Sequence, residues 1–317
     1  MPKMAYCEKV TKQIRLHPDN VCPCESGKLL RDCCLLPTGH LRKEPPSLLP
    51  PLPRTGHAQS GCYLASTMDC SPDLSAEHYM SRSVLEALGN TVAIGGVPWL
   101  PLGERREIGI NKLTAKILCR RHNAALSALD SAGGQFARRV RSIHSDLNRK
   151  SLSRKHSLVL MSGEALELWM LKAACGLFYS KNAARDGTRL IDSHTIDQSL
   201  AFDALLRGMW APRCGLYTRA PKGHIIPVEN SVAISPLTAA NEKRVAGAGL
   251  IVRGLEFALI FDPAWENFDS LTSEGWILRP TELVFASGKR AHSIGLTWLP
   301  GTPERSIRLT PLIRRVR

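Results

Sequence analysis

The chain has 317 residues, long for one compact core and enough for two. Hydrophobic residues make up 44% of it, which excludes wholesale disorder, and Lys plus Arg exceed Asp plus Glu by 42 to 28, a formal net charge of +14. A balance of that sign attracts polyanions, because each phosphate neutralised by Lys or Arg releases a condensed counterion, so nucleic acid is the predicted partner.

The positive excess is not confined to a tail: residues 1–150 hold 21 Lys plus Arg against 13 Asp plus Glu, and the remainder 21 against 15. No charged-then-apolar leader opens the chain, and the most apolar stretch, 158–178, is interrupted by Glu164, Glu167 and Lys172. No basic amphipathic helix suited to anionic lipid is visible. The expectation is a soluble, cytoplasmic protein without a membrane partner, whose ten cysteines serve as metal ligands or buried thiols.

Residues 1–36 form the first unit and end in "CPCESGKLLRDCC". Cys22, Cys24, Cys33 and Cys34 give four soft ligands on a short loop plus one turn, the supply that tetrahedral zinc needs. Ser26-Gly27 provides the turn, and Lys28 and Arg31 offset the thiolate charge. A disulfide between adjacent Cys33 and Cys34 would be strained, which disfavours a redox role. The segment resembles the SEC-C zinc motif, found at the end of a bacterial translocase motor and as an accessory module elsewhere. All four ligand positions match, with Glu25 where the motif usually has a glycine. The resemblance implies bound zinc and leaves open a protein-docking role or a small zinc-stabilised knuckle with no partner.

Residues 37–60 are proline-rich and read as an extended, semi-rigid spacer. From 61 to 150 two helical runs are predicted, over 81–88 and 123–147, with the Gly133-Gly134 pair breaking or bending the second. Cys62 and Cys70 make one ligand pair, Cys119 and His122 another, so a second structural zinc would close the long loop between them. Glu77-His78 lies between the pairs and Asn123 directly after the second. Hydrolysing a phosphodiester needs a divalent ion on the phosphate and a base for water. A carboxylate and an amide oxygen can hold the ion while an imidazole takes the proton.

The stretch from Cys62 to about Phe136 resembles the HNH endonucleases whose ββα-metal motif is braced by a zinc knuckle. The resemblance implies His78 as general base, Glu77 as acidic ligand to Mg or Mn, and Asn123 as the ligand on the helix. It further implies Asp130 as the downstream acid and Asn111 as the middle Asn, with DNA as substrate. The chain departs from the family in the seven residues between Cys62 and Cys70, in His122 replacing a cysteine, and in Ser81 replacing a proline. Arg82, Arg120, Arg121, Arg138, Arg139 and Arg141 stand close by and suit phosphate oxygens through their planar fork. The alternatives are a zinc-dependent nucleic-acid-binding protein without catalysis, and a docking adaptor acting through the SEC-C-like unit.

Residues 151–317 carry no catalytic motif. A strand over 157–161 leads to a helix over 164–179 that is apolar on nearly every side and therefore buried. Strands follow over 225–228, 232–234, 249–251, 256–261, 283–285 and 293–298, punctuated by turn residues. The basic run 305–317 offers a further phosphate contact. The whole is predicted as α+β: a small zinc unit, a ββα region, and a C-terminal domain with a helix against an antiparallel sheet.

Overall fold

The computed structural model describes residues 16–149, 155–219, 225–228, 230–239 and 243–312. The start of the predicted N-terminal unit and the end of the basic C-terminal run lie outside them. The zinc-motif segment is a loop closed by two short bridges, Val21 with Leu29 and Leu35 with Leu41. Strand β1 (Leu74–His78), helix α1 (Arg82–Leu88), strands β2 (Thr91–Gly95), β3 (Arg105–Gly109) and β4 (Thr114–Cys119), and helix α2 (Arg120–Asn148) come next. β1 pairs antiparallel with β4, β2 with β3, and α2 continues directly from β4.

Beyond residue 154 the order is β5 (Lys155–Ser162), α3 (Gly163–Tyr179), the short pair β6 (Ala184–Arg185) and β7 (Thr188–Arg189), and α4 (Gln198–Arg207). Then follow β8 (Gly215–Arg219), β9 (Ile225–Pro227), β10 (Val232–Thr238), β11 (Val245–Val252), β12 (Leu255–Ile260), α5 (Phe268–Ser273), β13 (Trp276–Leu278), β14 (Glu282–Ser287), β15 (Arg290–Thr297) and β16 (Ser306–Leu312). One sheet, ordered β10-β11-β12-β8-β13, is antiparallel throughout. The second, β5-β15-β14-β16-β9, is mixed: only β14 and β15 run antiparallel. The architecture is α+β, and the expected antiparallel sheet describes the first of the two.

Helix α3 starts where Ser162 caps it, its hydroxyl accepting from the Ala165 N–H at 3.1 Å. Apolar side chains all round leave no face for water, and the helix packs against α2 and against strands of both sheets. Its buried charges are paired. Glu167 accepts from the Leu216 N–H at 2.7 Å and meets Arg279 at 3.0 Å; Lys172 reaches into the 61–150 region. One buried cluster runs from Leu48 through Phe136 and Trp169 to Leu309, so the regions share a core.

Two expectations are corrected here. Gly133-Gly134 do not break α2, which is continuous over 29 residues. The glycines allow close approach instead: a Cβ at Gly133 would overlap the Trp169 indole of α3, and one at Gly134 would overlap Ser83 of α1. The proline-rich segment is also more than a spacer. Leu48 is buried, the Arg121 guanidinium donates to the carbonyls of Pro51 and Pro53, and the Thr55 N–H donates to Asp69 at 2.9 Å.

The zinc-motif loop docks on the second sheet. The Leu160 N–H donates to the Pro23 carbonyl at 3.1 Å, the Lys43 N–H to Thr297 Oγ1 at 2.9 Å, and Arg42 pairs with Glu164 at 3.1 Å. Glu25 pairs with Arg139 of α2. Among the described residues no helix is long and apolar enough to cross a membrane.

Replacing Gly133 with Ala would ordinarily favour a helix by about 1 kcal/mol. Here overpacking against Trp169 is expected to reverse the sign and destabilise the protein by about 1–3 kcal/mol, read as a lower urea midpoint.

Candidate metal centre and adjoining site

Two clusters of soft ligands converge, each with its donor atoms within 4.8 Å of one another: Cys22, Cys24, Cys33 and Cys34, and Cys62, Cys70, Cys119 and His122. Both fit tetrahedral zinc. Zn–S bonds of about 2.3 Å and Zn–N bonds of about 2.0 Å place sulfur and nitrogen ligands about 3.5 Å apart and two sulfurs about 3.8 Å apart. His122 Nδ1 lies 3.5 Å from Cys62 Sγ, 3.6 Å from Cys70 Sγ and 3.2 Å from Cys119 Sγ. In the first cluster Cys24 and Cys33 are 3.4 Å apart, and Cys33 and Cys34 are 3.7 Å apart.

The local sequence explains each convergence. In the first loop Glu25 and Gly27 adopt positive φ, and the Cys22 N–H donates to the Lys28 carbonyl at 2.8 Å, folding the "CPCESGK" turn so that its thiols face Cys33 and Cys34. Burial alone would raise the Cys24 thiol, but hydrogen bonds from Ser26, Cys22 and Cys33 bring it down to about 6. Lys43 Nζ, 3.6 Å from Cys24 Sγ, balances thiolate charge from outside the loop.

In the second cluster Cys119 ends β4 and caps α2, so its sulfur accepts from the His122 N–H at 3.4 Å. Burial raises that thiol, yet the hydrogen bonds from His122 and Ser71 bring it below its ordinary value. Burial and the neighbouring Cys119 and Cys70 push Cys62 up to about 12, a crowding of thiols that a cation relieves. Burial likewise holds His122 neutral, as a ligand must be. Its Nε2 lies 3.2 Å from Thr67 Oγ1, whose own hydrogen goes to the Leu64 carbonyl at 2.7 Å. Thr67 can therefore only accept from the ring, which leaves the Nδ1 lone pair facing the three sulfurs.

The second cluster fixes the corner from which β1, β4 and α2 diverge. A bulge between Ser75 and Glu77 re-aims the end of β1. Glu77, His78 and Asp130 line an open cavity of about 270 Å³ together with Arg82, Ser83, Glu86, Ser127 and Ser131. Burial raises the Glu77 carboxyl, opposed first by the Lys172 charge and more weakly by Asn123. Burial and Arg82 lower His78, and its Nε2 is buried without a partner. Asn123 sits beside Glu77 and spends its amide nitrogen on Ser75 Oγ at 2.8 Å. Asn111 is exposed in the turn Ile110–Lys112 and does not line the cavity.

The arginines divide. Arg82 and Arg138 are exposed, and Arg82 borders the cavity, paired with Glu86 at 2.8 Å. Arg120 is exposed beside Asp73 at 3.8 Å. Arg121 is committed to Asp69 at 3.0 Å and to the proline-rich segment, Arg139 to Glu25, and Arg141 to the Ala87 carbonyl at 3.3 Å.

Lys172 is the residue that motif reasoning passed over. Its Nζ stands 2.7 Å from Glu77 Oε1 and 2.5 Å from Asp130 Oδ2. The signal is a lysine in a helix that is apolar on nearly every side; which carboxylates it meets depends on how α3 packs on α2 and β1. No family model, curated protein or solved structure matches the chain.

Replacing Thr67 with Val removes the acceptor that orients His122. Zinc at the second cluster is expected to weaken about tenfold, seen as faster transfer of one zinc per chain to a chelator, with the first cluster unchanged.

Proposed function

We propose that this protein is a zinc-braced, metal-dependent endonuclease of the HNH type, hydrolysing nucleic-acid phosphodiesters, with DNA the favoured substrate. One observation carries the reading: the order β1, β4, α2, tied by a Cys₃His cluster, gathers Glu77, His78 and Asp130 on one cavity with Asn123 beside Glu77.

Glu77 and Asn123 are the hard-oxygen donors suited to hold Mg or Mn, since Asn123 gives its nitrogen to Ser75 and keeps its oxygen. When bound, the ion supplies charge stabilisation at the scissile phosphate. His78, whose side chain lines the cavity, takes the proton from the attacking water as the oxygen adds to phosphorus and the ester P–O bond breaks. Asp130 supports that shell from α2. Arg82 at the rim, and Arg138 further along α2, suit the flanking phosphates.

A non-catalytic nucleic-acid binder is the second reading, favoured by the ammonium already seated between Glu77 and Asp130. The adaptor reading has contacts against it. The SEC-C-like loop spends Pro23 and Glu25 on its own chain, as do Arg42 and Lys43 just beyond it.

Plasmid, linear and single-stranded DNA and RNA, incubated with the wild type and His78→Ala plus Mn or Mg, test the reading. Wild-type cleavage that falls about 100-fold or more in the variant is the expected outcome. Every substrate left equally intact by both proteins contradicts it.

A further inference from the structure

Helix α3 places two residues of one face, Trp169 and Lys172, against the candidate site. The Lys172 ammonium takes one oxygen from each carboxylate, Glu77 Oε1 at 2.7 Å and Asp130 Oδ2 at 2.5 Å. Ser81 donates its hydroxyl hydrogen to Asp130 Oδ1 and accepts from Trp169 Nε1 at 2.8 Å. Both oxygens of Asp130 are thus held from α3, one directly and one through Ser81. Of the four carboxylate oxygens, Glu77 Oε2 is the one that neither Lys172 nor Ser81 holds, and Asn123 is the further side chain that acts on the Glu77 carboxylate.

Lysine and glutamate are rarely buried unless paired. Here the Lys172 side chain is 5% exposed and that of Glu77 8%, so each is the other's condition for being there. An ordinary structural ion pair would also satisfy burial, as Glu167 with Arg279 does elsewhere on α3. Lys172 differs in what it holds, because both of its carboxylates line the cavity that His78 faces.

We propose that Lys172 is a positioning residue of this site, contributed by the C-terminal region: it clamps Glu77 and Asp130 from behind so that the remaining Glu77 oxygen is presented to a divalent cation. The assignment rests on the metal-dependent reading above. It gives residues 151–317 a share in the site, and it makes the ammonium an outer-shell support for the carboxylate ligand, not a competitor for the ion's position.

Mn(II) binding, followed by EPR on the full-length zinc-loaded protein, tests this in wild type, Glu77→Gln, Lys172→Met and Lys172→Arg, with cleavage assayed in parallel. Wild type is expected to take up Mn(II) at a site that Glu77→Gln abolishes. Lys172→Met should weaken that uptake about tenfold or more, and Lys172→Arg should stay within about threefold of wild type. Lys172→Met binding as tightly as wild type overturns the positioning role and leaves the metal-dependent reading standing. Mn(II) bound as expected, with every nucleic acid intact, overturns the hydrolase and leaves Lys172 in its role. Absence of any Glu77-dependent uptake overturns both. If Lys172→Met loses zinc or cooperative melting, a crystal structure of the wild type soaked with Mn(II) decides. An ion on Glu77 with Lys172 Nζ still on the other oxygen supports the assignment, and an ion in the ammonium's place between Glu77 and Asp130 overturns it.

Discussion

Three buried sulfurs and one imidazole, drawn from residues 62, 70, 119 and 122, meet at the end of β4, and the candidate site depends on that meeting. Burial, with Cys119 and Cys70 alongside, raises the Cys62 thiol, so a bound cation would relieve the crowding there. With zinc the cluster becomes a covalent-strength knot that ties the 62–70 loop to the first turn of α2. Asn123 follows His122 on that turn and Asp130 lies two turns further on, so their placement against β1 follows from where the knot sits.

The first cluster works at longer range. Its loop leans on β5 and β15 through Pro23 and Lys43 and touches α2 through Glu25 and Arg139. The proline-rich segment then runs back past the second cluster, where Arg121 and Asp69 hold it. The N-terminal segments thus act as a strap across both larger regions. The shared core behind the strap, with Gly133 giving room to Trp169, sets the distance at which α3 can deliver Lys172.

Ligand chemistry was the most legible part of the sequence, because metal sites constrain residue type and spacing together. All eight thiol and imidazole positions singled out from spacing converge into the two clusters. Helices α1, α2 and α3 follow their apolar patterns, and the seven C-terminal segments expected as strands all fall on strands, whereas β6, β7, β8, β13 and β16 were not expected. Helix α4 went unread although Asp197 caps it and Gly208 closes it in the left-handed region. The glycines of α2 were misread because local propensity says nothing of a neighbouring indole. The parallel pairings of the second sheet, and the partners of Lys172 and Glu167, are products of long-range topology that no local pattern encodes.

The most direct measurement is zinc content by elemental analysis on protein purified without added metal, joined to X-ray absorption at the zinc edge. Two zincs per chain are predicted, in a sulfur-dominated environment with a minor nitrogen contribution that disappears when His122 is replaced by Cys. Fewer than two tightly held zincs, or a nitrogen contribution that survives His122→Cys, would contradict the account.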